Sequence, residues 1–209
     1  MRRDLRPGTC TRLIVAAAAG LLLASSAGAQ EPDLGKLYKN GIAFEEFLEN
    51  ADRRRQAWHD HYKNGTPTHP AVQAAKALDS EVRFLVVAED WCGDSVNTVP
   101  YLARLVEKVA GWEMRMINSR QGAEIMAAHL TPDGRSATPT IIILDADDKP
   151  LGAFVERPTI LQEWFLRAQA EIGQDDLYEQ KYTWYAEDAG EETLRELTEM
   201  VRVAGEREE

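Results

Sequence analysis

The sequence predicts an α/β domain, a central mixed sheet flanked by helices, with helical extensions at both ends. Three observations predict it. Arg83–Ala88 (RFLVVA) is a continuous apolar run, the pattern of a strand covered on both faces. Thr140–Leu144 (TIIIL) reads as a further strand. Between and after them the apolar residues recur at helical rather than alternating spacing.

The first 29 residues stand apart from the fold. Arg2, Arg3, Arg6 and Arg12 make a basic start, Leu13–Ala24 is apolar, and Ala27-Gly28-Ala29 has the small-x-small pattern of a cleavage site. Residues 1–29 therefore read as a signal peptide, with Gln30 as the mature N-terminus and export to the periplasm or beyond as the fate. Twelve apolar residues fall short of the roughly 20 that span a bilayer. No stable membrane span is expected after cleavage; an uncleaved anchor is the alternative. Little around Arg2-Arg3 supports a twin-arginine route.

Residues 30–79 read as a helical N-terminal extension. Leu37, Phe44, Phe47 and Leu48 lead into a basic and aromatic stretch through Trp58 and Tyr62. Asn64-Gly65-Thr66-Pro67 breaks the pattern; it fits a glycosylation sequon but is more simply a turn. Pro70 is placed to open a short helix through Leu78. Residues 80–172 carry the α/β unit. After Arg83–Ala88, residues 95–110 place Val96, Val99, Leu102, Leu105 and Val109 at helical spacing. Trp112–Ile117 reads as a strand and Gln121–His129 as a short helix. Thr140–Leu144 and Leu151–Val155 flank a turn-rich connector and make an antiparallel hairpin. A helix from Thr159 to about Ile172 closes the unit. Residues 173–209 are acidic and helical, and Leu194, Leu197 and Val201 form a stripe that should dock on the core.

Charge and cysteine count narrow the function. The chain holds 24 basic and 35 acidic residues. Removing residues 1–29 leaves 20 against 34, a net charge of −14. Such a surface argues against nucleic acid and anionic membranes as partners. Of the two cysteines, Cys10 leaves with the signal peptide and Cys92 stands alone. The mature chain can form no internal disulfide, so Cys92 is either buried and inert or exposed and reactive. Its place favours chemistry. A strand ends at Ala88, Trp91-Cys92-Gly93-Asp94-Ser95 follows, and a helix begins. At that helix N-terminus unpaired N–H groups and the dipole stabilise a thiolate.

These residues resemble the thioredoxin superfamily. The likeness rests on the WCxxS form of WCxxC, on the element order, and on Ala137-Thr138-Pro139-Thr140 before the third strand, 46 residues after Cys92. EDWCGDS, GRSATPTIIILD and ERP look more narrowly like a bacterial thioredoxin-like group with a WCGD core. The resemblance covers residues 80–172 well and the flanks loosely. It implies a thioredoxin-like fold, with Cys92 as the attacking thiol and Pro139 as a cis-proline packed against it. Thr138 would offer backbone groups to an extended peptide, and Trp91 would wall the site.

Three departures qualify what the resemblance implies. Ser95 takes the resolving position, and a hydroxyl can hydrogen-bond a thiolate but cannot perform disulfide exchange. Val86 stands where many thioredoxins carry a buried carboxylate. Asp94 replaces the usual proline and, with Glu89 and Asp90, brings negative charge toward the thiol. One carboxylate at about 6 Å and an effective dielectric of ~20 opposes the thiolate by roughly 3 kcal/mol before screening. The helix terminus offsets up to about 2 kcal/mol. Asp94 reads equally as a solvated helix-start carboxylate or as a proton-handling group.

Other motifs read blandly. His59 and His61 are two apart on a helix and point in different directions, against a shared metal. His69 and His129 are isolated, and Met114 and Met116 read as core. Arg157-Pro158 ends a strand, with recognition near the site as a second reading. No metal and no cofactor are expected. Two functions from different classes remain. One is monothiol thiol–disulfide exchange, Cys92 attacking a protein or glutathione disulfide, with catalytic roles for Cys92, Ser95 and Asp94 and substrate contacts at Trp91, Thr138 and Pro139. The other is a redox-inactive binding or chaperone-like module using the same groove.

Overall fold

The computed structural model describes residues 32–65 and 70–207. The predicted signal peptide and its cleavage point lie outside the described residues, as does His69. Among the described residues no helix is long and apolar enough to cross a membrane.

The sheet runs β2-β1-β3-β4, from β1 (Val82–Val87), β2 (Trp112–Ile117), β3 (Thr140–Leu144) and β4 (Pro150–Val155). β1 pairs parallel with β2 and antiparallel with β3, and β3–β4 is the expected antiparallel hairpin. Its connector is tightened by Asp145, whose Oδ1 accepts from the N–H groups of Asp147 and Lys149 at 2.8 and 2.9 Å. The unbroken apolar run of β1 follows from its central place. Alternate side chains enter different layers: Phe84 and Val86 pack with Ile141, Ile143, Phe154 and Val96, Val99 and Leu102 of the following helix, while Leu85 and Val87 pack with Ile117, Ile125 and Ile142.

Helices cover both faces. α5 (Gly93–Val106) lies over one, and α6 (Ala123–Ala128) over the other. α7 (Thr159–Ala168) leads into α8 (Gln174–Asp188) and α9 (Glu191–Gly205). Leu194, Leu197 and Val201 of α9 join the main core. Burying each stabilises by about 1.5–3 kcal/mol.

The N-terminal extension differs from one continuous helix. It comprises α1 (Leu34–Asn40), α2 (Phe44–Asn50), α3 (Arg55–Asn64) and α4 (Pro70–Lys76). The first break has a long-range cause: Ile42 exchanges backbone hydrogen bonds with Met116 at 3.0 and 2.8 Å. That contact covers part of the open edge of β2, which would otherwise present unpaired peptide groups. The second break is a turn at Asp52–Arg54, whose N–H groups at 52 and 53 donate to one carboxylate oxygen of Asp90 at 2.9 and 2.8 Å.

α5 carries Pro100 in its interior. A proline there donates nothing to the carbonyl four residues back, that of Val96. His61 fills the gap. Its Nδ1 lies 2.7 Å from Val96 O, and its ring stacks on Tyr101 at 5.7 Å. A carbonyl only accepts, so Nδ1 carries the proton. His61 is thus a bracket between α3 and α5.

Candidate active site

Cys92 is the N-cap of α5, with extended backbone angles. Its Sγ accepts from the N–H of Ser95 at 3.4 Å, and its S–H donates to the carbonyl of Thr138 at 3.1 Å. The Thr138–Pro139 peptide is cis, and Cys92 is 8% exposed. First turn and proline loop therefore meet at this atom. The proline loop is held from behind: Pro139 O accepts from the N–H of Glu156 at 2.7 Å, and Thr140 Oγ1 donates to Ala137 O at 2.7 Å. Cys92 is the free cysteine among the described residues.

The remaining motif residues divide by exposure. Trp91 is 57% exposed beside the thiol, and its carbonyl accepts from Arg54 Nε at 2.9 Å. Ser95 is fully buried, and its Oγ has no hydrogen-bond partner among the described residues. The contact to sulfur comes from its backbone N–H, not its hydroxyl. Val86 sits in the apolar core. Glu89 accepts from the N–H and hydroxyl of Ser119 at 2.8 and 2.5 Å, so it and Asp90 each serve local backbone.

Asp94 differs most from expectation. It is buried, not solvated, and it meets the C-terminal extension. Lys181 Nζ donates to its oxygens at 3.1 and 3.3 Å, and Tyr185 OH donates at 2.9 Å. The Arg157 guanidinium lies 3.4 Å away. Two cations thus face one carboxylate, which removes most of the repulsion that an isolated Asp94 would exert on a thiolate. Lys181 is 1% exposed, with its ammonium 4.7 Å from the ring centres of Tyr178 and Tyr182. Arg157 stacks 4.2 Å from the Phe165 ring centre. Burial first, and then the Asp94 charge, push the Tyr185 hydroxyl well above its ordinary range, so it stays protonated as a donor.

Tyr182 completes the site. Its hydroxyl lies against Gly93, where a side-chain carbon would collide with it. Arg54 stands over its ring at 5.8 Å. Burial raises the Tyr182 pKa, Arg54 lowers it, and the charges of Asp94 and Cys92 raise it further. Sequence reasoning did not find Lys181, Tyr182 or Tyr185. A signal existed in the spacing of Tyr178, Lys181, Tyr182 and Tyr185, which places a lysine on one helix face among three aromatic rings.

Comparison with known proteins adds the family. The family model Thioredoxin_9, described as Thioredoxin, matches residues 41–175. This chain belongs to that thioredoxin family. The match reaches through α2, α3 and α4, farther toward the N-terminus than the motifs alone suggested. No curated protein matches. Two solved structures share the fold. A protein of unknown function, PA1234, from Pseudomonas aeruginosa is 21% identical, with 81% of this chain and 97% of that one covered and a TM-score of 0.63. A structure described as an HIV epitope-scaffold is 20% identical, covering 80% and 96%, with a TM-score of 0.61. The fold is thus the thioredoxin-like α/β fold, of the general thiol–disulfide oxidoreductase type. Among the described residues no group of three or more His, Cys, Asp or Glu could hold a metal ion.

Proposed function

We propose that this chain is an exported monothiol thiol–disulfide exchange protein acting through Cys92. The observation that carries the reading is the position of Sγ, capped by a helix N–H and 3.1 Å from the carbonyl before Pro139. The Cys92 thiolate attacks one sulfur of a protein or glutathione disulfide. The partner's S–S bond breaks, a new S–S bond forms to Cys92, and the displaced thiolate leaves and takes a proton. An external thiol then attacks the mixed disulfide and regenerates Cys92. Ser95 cannot do this, so covalent adducts should accumulate until that thiol arrives. Thr138 offers its backbone to the incoming chain and Trp91 walls the path.

The low exposure of Cys92 favours a second reading, a binding or chaperone-like module with no turnover. One experiment separates them. The rate of Cys92 with an aromatic disulfide reagent is compared with that of a free cysteine peptide, and partner capture is compared in wild type and Cys92→Ser. Exchange predicts a faster thiol and adducts that vanish with the serine. A rate no faster than the peptide, with binding retained in Cys92→Ser, leaves only the binding module.

A further inference from the structure

The motifs WCGDS, GRSATP and ERP meet in one chain of alternating charge. It runs Lys181, Asp94, Arg157, Glu156, Arg135, Asp133, with successive contacts of 3.1, 3.4, 2.5, 3.2 and 2.6 Å. It joins α8, the first turn of the thiol helix, the corner between β4 and α7, and the loop before Pro139. Glu156 adopts a left-handed φ of 67°, strained for a non-glycine residue, while its N–H donates to Pro139 O. Such outliers persist where surroundings over-determine them, and here four segments do so. A buried ion pair is also an expensive way to dock a helix, since apolar side chains of similar volume often serve better.

We propose that α8 is a wall of the thiol site. Asp94 and Lys181 are the positioning residues that hold it there, and Tyr182 is the specificity-determining residue that a disulfide partner of Cys92 meets. The rim so formed is aromatic: Trp91 is 57% and Tyr178 40% exposed, with Arg54 bridging Trp91 and Tyr182. It fits a protein disulfide whose cysteine is flanked by apolar residues. This choice of partner rests on the exchange reading; the wall does not.

The charge at the thiol has contributors on every side. They are Asp94 on α5, Lys181, Tyr182 and Tyr185 on α8, and Arg54 at the start of α3. Glu89 and Asp90 lie in the loop before Cys92, Glu156 and Arg157 at the β4–α7 corner, and Arg135 in the proline loop. Removing Lys181 exposes the thiolate to more of the Asp94 charge, and Lys181→Arg keeps the cation.

The test uses the full chain and follows modification of Cys92 by mass spectrometry of its own peptide, so that Cys10 does not interfere. The probes are iodoacetamide across pH and two glutathionylated peptides, their cysteines flanked by leucines or by glutamates. Tyr182→Ala should slow the leucine-flanked peptide by about fivefold, leaving iodoacetamide unchanged or faster. Lys181→Met should raise the pH midpoint of alkylation by about half a unit, with Lys181→Arg close to wild type. Equal effects of Tyr182→Ala on all three probes, or no effect, overturn its role in specificity. An unshifted midpoint in a folded Lys181→Met overturns the wall; if that variant does not fold, Tyr185→Phe, which removes a donor to Asp94, takes its place with the same sign. Should wild type react with neither peptide, the exchange reading falls and the iodoacetamide profiles still decide the wall.

Discussion

Replacing Asp94 by Asn removes the carboxylate that Lys181, Arg157 and Tyr185 share, while keeping its shape. Lys181 and Arg157 are 1% and 4% exposed, so neither charge can turn to water without opening the packing of α8. Breaking a buried pair by removing one partner costs about 3–5 kcal/mol. The amide can still accept from Tyr185 and one lysine proton, which places the loss near the lower end, about 3 kcal/mol. For a domain of this size each kcal/mol lowers Tm by about 2–4 °C, so a drop of roughly 6–12 °C is expected. Urea unfolding of the full chain at neutral pH measures the free-energy loss and a thermal melt the Tm, both followed by circular dichroism. Lys181→Met in the Asn background should recover about 1–3 kcal/mol, because it removes the stranded ammonium. A loss below about 1 kcal/mol is the value of an exposed pair. That result would mean Asp94 is solvated, and the reasoning about its partners would be wrong.

Gly93→Ala should cost about 1–3 kcal/mol by overpacking against Tyr182, and Tyr182→Phe should relieve part of it by taking away the colliding oxygen; paired thermal melts read both. His61→Ala strands Val96 O and should cost about 1–3 kcal/mol, but markedly less in a Pro100→Ala background, where the helix supplies its own N–H, as urea midpoints would show. Alkaline titration gives a signed test. Burial, with help from Glu113, pushes Tyr38 up to about 12, and burial raises Tyr185 well above its ordinary value of 10.0. The unfolded chain ionises both near that ordinary value and the folded chain does not. Stability is therefore intact below pH 10 and declines above it, through about pH 12 for Tyr38. Tyrosinate absorbance rising with the ordinary midpoint in the folded protein would contradict this.

How far the sequence could be read depended on the range of the signal. The four strands and α5 announce themselves through local period: RFLVVA and TIIIL are buried on both faces, and Val96, Val99, Leu102 and Leu105 repeat at helical spacing. Cys92 and Thr138 were readable because each sits in its own short motif. The split of 37–63 was not, since Ile42 leaves the helix to pair with Met116 across the fold, and nothing near residue 42 marks it. Asp94 was the harder case. Near it in sequence only the helix terminus opposes its charge, yet its strongest partner, Lys181, lies 87 residues away. Local spacing cannot report a cation delivered by another helix. A buried charge is nevertheless legible in principle, because burial demands a partner. α8 offers one lysine ringed by tyrosines on a face that should dock, and the first turn of α5 offers a carboxylate where a proline would serve the fold. Each is anomalous alone, and each accounts for the other once the two helices touch.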